Sequence, residues 1–265
     1  MLIALLTDFG TADYFVGAMK GVILSTNADA RIVDITHEIP PQDIRAGAFT
    51  LSVVSQTFPS GTIHLAVVDP GVGSERRPIL VSGGNQFFVG PDNGLFSFVY
   101  EREAAARVFH LTNADYFRQP VSATFHGRDV FAAVAGALSK GISPEQLGVE
   151  IKDYVRLTML KPKRTGTQII EASIIHIDRF GNCVTNLTRE DLTEEMLARG
   201  LRLKINGREI TSFHRFFAEN DGPPDELFVI WGSAGYLEIA AFRASAASLL
   251  DARVGQPLEV MNFEF

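Results

Sequence analysis

The sequence predicts an α/β protein in which an N-terminal α/β domain with a mainly parallel central sheet precedes a smaller C-terminal antiparallel β-barrel domain. Three observations predict it. Over residues 1–160, apolar runs of strand length alternate with stretches whose apolar residues recur at helical spacing, the pattern of parallel strands joined by crossovers. The pattern then lapses in Lys161-Pro162-Lys163-Arg164-Thr165-Gly166, which is polar and has no period, so residues 161–167 are read as a linker. Over residues 168–265 most of the apolar runs have strand length and are bounded by turn residues.

The elements follow in chain order. Leu2–Leu6 is an apolar strand, and Phe15, Met19, Val22 and Ile23 share one face of the helix after it. Arg31–Ile35 is a second strand; Ile44, Ala48, Leu51 and Val54 mark a second helix before the strand Thr62–Val68. Gly83-Gly84-Asn85 within Ile79–Phe88 predicts a hairpin, Arg107–Leu111 another strand, and Gly127–Ser139 a helix that Gly141 is placed to end. Past the linker, Ile169–Ile177, Cys183–Leu187, Leu201–Ile205, Leu227–Trp231 and Tyr236–Ala240 are strands, with one short helix at Glu190–Ala198. Asn206-Gly207 is a strong two-residue hairpin signal, because both central positions of the favoured turn need positive φ.

Composition narrows the classes of function. The 265 residues are 46% hydrophobic and 21% charged, with a formal net charge of −7. Phosphate neutralisation needs clustered Lys and Arg, so a mildly acidic chain without a basic run argues against nucleic acid and for a small-molecule partner. Cys183 is the only cysteine, which excludes an intrachain disulfide and fits a reducing, cytoplasmic setting. Met1–Leu6 is apolar but lacks a basic flank and is too short for a signal peptide or a membrane span.

Ligands of open α/β sheets collect where strands end, and several predicted strand ends carry unusual polar residues. The run Ile63–Val68 stops at Asp69-Pro70-Gly71-Val72-Gly73, with Arg76 seven residues beyond the carboxylate; the pair is either a site or a structural ion pair. Asp8 and Asp13 follow the first strand, where a carboxylate suits hydroxyl recognition or caps the next helix. His126 opens a helix, where the dipole disfavours the imidazolium, so it is a neutral base or a capping contact; Arg128 and Asp129 are read as facing solvent or steadying the first turn. In the second domain, Asp178-Arg179-Phe180-Gly181-Asn182 suits an amino-acid moiety or is a tight hairpin. Trp231-Gly232-Ser233-Ala234-Gly235-Tyr236-Leu237-Glu238 is a glycine-rich turn with hydrogen-bonding groups beside aromatics. Spacing leaves three classes open: a metal-dependent phosphatase-like hydrolase with Asp8, Asp69 and His126 as ligands, a metal-free nucleoside enzyme, and a ligand sensor.

These same motifs, in this order, resemble the S-adenosyl-L-methionine (SAM) hydroxide adenosyltransferases, the SAM hydrolases related to the adenosyl fluorinases and chlorinases. The likeness spans essentially the whole chain and rests on Leu6-Thr7-Asp8-Phe9-Gly10 with Asp13, Asp69-Pro70-Gly71-Val72-Gly73 with Arg76, Phe125-His126-Gly127-Arg128-Asp129, Asp178-Arg179-Phe180-Gly181-Asn182, and Gly232-Ser233 with Gly235-Tyr236-Leu237-Glu238. It implies a homotrimer whose SAM sites lie between one subunit's N-terminal domain and a neighbour's C-terminal domain. It also implies hydrolysis of SAM to adenosine and L-methionine, with no metal and no cofactor.

By that resemblance Asp69, Arg76 and His126 hold and activate water, and Asp8 binds the ribose hydroxyls with Asp13 beside it. Asp178 and Asn182 hold the methionine end, Phe180 stacks near adenine, and Ser233, Tyr236 and Glu238 complete the substrate contacts. The halogenases carry tyrosine and serine where this chain has Asp69 and His126, which favours water over halide and leaves halide-dependent adenosyl transfer as the alternative. They also have one more residue between the aspartate and the Phe-Gly-Asn unit, and arginines where this chain has Ala234 and Ala241. The sulfonium leaves as a neutral thioether, so the reaction needs no general acid, only a nucleophile held in line with the carbon–sulfur bond. Arginine beside a carboxylate weakens it as a base, so Arg76 is expected to orient Asp69 and steady developing hydroxide while His126 shares the proton.

Overall fold

The computed structural model describes residues 1–158, 161–165, 169–192, 196, 200–219 and 223–262. It divides into two compact units, Met1–Thr158 and Met159–Phe265.

The first unit runs β1 (Leu2–Thr7), α1 (Phe15–Thr26), β2 (Arg31–Thr36), α2 (Ile44–Val54), β3 (Ile63–Val67), β4 (Pro78–Gly83), β5 (Gln86–Pro91), α3 (Ser97–Arg102) and β6 (Arg107–Leu111). A π-helical turn (Gly127–Ala132) then winds directly into α4 (Ala133–Ser139), followed by α5 (Pro144–Leu147) and β7 (Gly148–Ile151). The seven strands lie in the order β2-β1-β3-β5-β4-β6-β7. The sheet is mixed rather than mainly parallel: β2, β1, β3 and β5 pair in parallel, whereas β5/β4, β4/β6 and β6/β7 are antiparallel. The antiparallel half follows from the expected hairpin, whose turn residues Gly84 and Asn85 both take positive φ and reverse the chain without a crossover.

Both faces of this sheet are covered, which explains why β1 and β3 are buried along nearly their whole length rather than at alternate residues. Ile3, Leu5, Ile63, Leu65 and Val67 pack with Met19 and Ile23 of α1 and with Val130, Phe131 and Val134. On the other face Leu6, Ala66 and Val68 pack with Ala48 and Leu51 of α2 and with Phe96 and Val99. Each fully buried Leu or Ile contributes about 1.5–3 kcal/mol, so the strand ends stand on a stiff base. Gly141, at φ +92, ends the helix through its N–H to Leu138 O as expected. The short α3, α5 and β7 carry too little periodicity to be seen in the sequence.

The second unit runs β8 (Lys163–Thr165), β9 (Ile169–Ile177), β10 (Cys183–Thr188), β11 (Leu201–Ile205), β12 (Arg208–Ile210), β13 (Phe213–His214), β14 (Leu227–Trp231), β15 (Tyr236–Ala241), α6 (Ala246–Leu250) and β16 (Pro257–Asn262). Lys163–Thr165, within the stretch read as linker, pairs with β9. The remaining strands form the path β12-β11-β16-β9-β10-β15-β14-β13, antiparallel except for β13/β14. This is a curled, half-barrel sheet: its pairing path is open at β12 and β13 among the described residues. Asn206 and Gly207 form the expected hairpin turn at φ 47 and 75. The helix expected at Glu190–Ala198 falls largely outside the described residues.

Candidate active site

Asp8 and Asp69 leave neighbouring parallel strands at the same end, because Thr7 is in register with Val67. Asn93 Nδ2 holds the Val68 carbonyl at 2.8 Å, fixing the strand just before Asp69 leaves it. The chain then turns through Gly73 at φ +79, where a Cβ would sit 2.3 Å from the Ala123 carbonyl oxygen. Only glycine lets the Asp69–Arg76 loop lie this close to the loop that carries His126.

There the chain assembles a charged cluster. Arg76 Nε donates to Asp69 Oδ1 at 2.9 Å and Nη2 to Oδ2 at 2.5 Å, a two-pronged pair whose side chains are only 9% and 5% exposed. The same Nη2 lies 2.9 Å from His126 Nδ1. The guanidinium rests on the Phe131 ring, 5.1 Å from its centroid. Arg76 Nη1 is buried and has no hydrogen-bond partner among the described residues. Immediately after it, Arg77 binds Asp92 through Nε at 3.1 Å and Nη2 at 2.8 Å and reaches Asp153 as well, so the loop's far end is clamped.

The roles within this cluster follow from hydrogen-bonding capacity. A guanidinium can only donate, so Nδ1 of His126 must accept and the neutral ring carries its proton on Nε2. Burial, and secondly the charge of Arg76, hold the His126 imidazole below the usual histidine range, which keeps it neutral. His126 makes no side-chain cap, and neither does Asp8: α1 has no side-chain cap at Tyr14, and Asp8 Oδ2 instead accepts the Gln42 N–H at 2.7 Å. Asp13 is exposed on the segment before α1. Asp129, read as facing solvent or steadying the first turn, is fully buried, which excludes the solvent-facing alternative.

The metal-ligand arrangement of Asp8, Asp69 and His126 is not assembled: among the described residues no group of three or more His, Cys, Asp or Glu is disposed to hold a metal ion. Arg76 occupies Asp69 instead.

In the second unit, Asp178 accepts the Phe180 and Asn182 N–H groups on Oδ1 at 2.9 and 2.8 Å and Asn182 Nδ2 on Oδ2 at 2.9 Å. The carboxylate therefore builds the turn and keeps little free accepting capacity. The turn leaves the Phe180 ring 78% exposed beside a groove of about 760 Å³ lined by Phe180, Asn182, Phe217, Phe228, Phe242 and Arg243. Ser233 is exposed in the Gly232–Tyr236 turn, which closes through Gly232 N–H to Tyr236 O at 2.9 Å. Glu238 is buried on β15, against Gly232, and burial first, then the charge of Asp178, raises its carboxyl above the usual range. The groove aromatics Phe217, Phe228 and Phe242 carry no common spacing in the sequence, because the fold brings together one strand residue, Phe228, and two turn residues, Phe217 and Phe242; Phe216-Phe217 was the one local signal. Likewise nothing in the sequence linked Arg77 to Asp92.

A family model described as the SAM hydroxide adenosyltransferase N-terminal domain matches residues 3–148, and that of the C-terminal domain matches 172–259. The chain belongs to the SAM hydroxide adenosyltransferase family. It is similar to a (R)-S-adenosyl-L-methionine hydrolase of Methanocaldococcus jannaschii, 36% identical over 98% of this chain and 95% of that one. A fluorinase of Nocardia brasiliensis is more distant, 25% identical over 98% of this chain and 96% of its own. The solved structure of an uncharacterized conserved protein from Thermotoga maritima superposes with a TM-score of 0.90 at 34% identity, covering 98% and 99% of the two chains. Among the described residues no helix is long and apolar enough to cross a membrane.

Proposed function

We propose that this member of the family hydrolyses SAM to adenosine and L-methionine, and that the Arg76 fork on Asp69 with His126 on the same guanidinium is its water site. That arrangement carries the proposal, since it presents donors and a carboxylate together, with Arg76 and Asp69 almost wholly buried. The buried Arg76 Nη1 and the His126 Nε2–H are donors for a water oxygen and for the charge it develops. Asp69 keeps a lone pair on each oxygen beyond those taken by Arg76 and accepts the departing proton. His126, with Nδ1 committed to Arg76, orients the water rather than sharing its proton. The oxygen bonds to the 5′-carbon as the carbon–sulfur bond breaks, its electron pair passes to sulfur, and methionine leaves uncharged. No metal or cofactor enters this scheme.

Asp8 and Asp13 are assigned to the ribose hydroxyls and their surroundings. Asp178 and Asn182 are assigned to the methionine end, Ser233 and Glu238 to the methionine and adenine contacts with Tyr236 beside them, and Phe180 with the aromatic groove to adenine. The two sets would meet across subunits of a cytoplasmic homotrimer, each chain folded as an α/β domain (1–160), a linker (161–167) and a β-barrel domain (168–265). Support for the barrel is a shared core: Leu203 and Ile210 from one end of the strand path pack in one cluster with Val229 and Leu237 from the other.

Incubating the purified protein with each sulfonium epimer of SAM, with and without chloride, and identifying the nucleoside tests the proposal. Adenosine, formed independently of chloride, is expected, with the (R) epimer preferred as in the relative's name; a 5′-halogenated nucleoside would overturn hydrolysis. Protonated His126 can no longer accept from Arg76, and its pKa lies below the usual histidine range, so kcat is expected to hold at pH 7 and to fall only as the pH drops below that range. A rate already halved at pH 7 would contradict the neutral imidazole.

A further inference from the structure

Asp129 takes no part in that scheme, yet it is fully buried and its carboxylate is saturated. Arg128 Nε and Arg118 Nη1 donate to Oδ1 at 2.6 and 3.1 Å; Arg128 Nη2 and the Ser122 N–H donate to Oδ2 at 2.8 and 2.9 Å. Its backbone carbonyl accepts the Arg118 N–H at 2.8 Å, and its own N–H donates to Phe125 O at 3.2 Å. One residue thus ties three stretches of chain together: the segment at Arg118, the loop at Ser122 and the start of the π-helical turn. Inside the loop it closes stand Ala123, whose carbonyl abuts Gly73, and His126, which meets Arg76.

We infer that Asp129 is a positioning residue for the reaction: by closing the loop from Ser122 to the π-helical turn, it holds His126 against Arg76 without itself touching substrate. The inference rests on the assignment of Asp69, Arg76 and His126 as the water site. It uses the local wide turn for a purpose, since an extra residue in a helical turn re-aims the side chain at its start. The charged groups that act on His126 are Arg76 and Asp69 from one loop and Asp129 from its own turn, and Asp129 is itself paired with Arg128 and Arg118. Asp129 is the carboxylate that offsets Arg118 and Arg128 there.

Two substitutions move the imidazole in opposite directions. Asp129→Asn leaves two guanidiniums unopposed and lets the loop open, so kcat falls about 10- to 100-fold with KM for SAM within about threefold, as displaced catalytic groups do. The His126 imidazole, followed by NMR on labelled histidine, titrates at lower pH than in the wild type. Arg118→Gln removes one donor and one positive charge from a half-exposed side chain. There kcat falls about threefold and His126 titrates at higher pH. Should Asp129→Asn fail to fold, the Arg118→Gln protein decides. An unchanged His126 titration in the folded variants, or a loss of rate matched by a loss of active sites with the surviving enzyme normal in kcat, overturns the inference. Absence of adenosine from the wild-type reaction overturns the proposed function instead, and the titrations still report on positioning.

Discussion

The strand-end loops of the first unit and the groove of the second solve opposite problems. Asp69 and Arg76 are almost wholly buried, His126 is half-buried, and the three polar side chains are already hydrogen-bonded in one cluster. Around Phe180 and Phe217 they are aromatic and more than half exposed. Preorganised polar groups stabilise a developing charge without reorganising at the moment of reaction, whereas an open apolar surface gains its free energy only when a ligand covers it. Under the proposed function, turnover belongs to the first unit and affinity to the second.

Substitution in each region should therefore fail differently. Asp69→Asn leaves Arg76 without its anion and the water without its proton acceptor, and kcat is expected to drop about a thousandfold, near 4 kcal/mol, with KM little changed. Turnover near the wild-type rate would remove Asp69 from the proposed site and erase the contrast.

His64 tests whether the stiffness of the first unit is what holds the polar site. It lies fully buried on β3, stacked 4.9 Å from Phe88, and burial lowers its pKa to about 4 from the usual 6.5. Between those values the unfolded chain binds a proton that the folded one excludes. The stabilisation is complete above about pH 6.5 and is lost as the pH falls toward 4, by about 3 kcal/mol. Denaturant unfolding at pH 7 and pH 4.5 should show that loss in the wild type and a smaller one in His64→Leu; equal losses would place the acid sensitivity elsewhere.

Phe180→Ala probes the groove and should give the smallest effect. Losing one exposed stacking surface costs about 1 kcal/mol, so KM rises about fivefold while kcat stays within twofold. A fall in kcat with KM unchanged would mean that the groove shapes the transition state as well.

Where strands end, and which polar residues stand there, can be read from local stretches of chain. Apolar runs such as Ile63–Val68 and turn signals such as Asn206-Gly207 are local properties, and hydrophobic period and positive φ act within a few residues of chain. Asp69, Arg76 and His126 could be singled out for that reason, and so could the Asp178–Asn182 turn. What distant segments do to one another was decided only by the fold. Half of the first sheet turned antiparallel because one hairpin reversed the chain, and the second sheet curled around a core drawn from both ends of its strand path. The tautomer of His126 depends on a guanidinium fifty positions away in sequence, and the aromatic groove gathers side chains from turns and a strand that spacing cannot relate. Asp129 shows the limit most clearly: a charged residue in the first turn of a helix is ordinarily solvated, and only the convergence of Arg118, Ser122 and Arg128 upon it makes burial affordable.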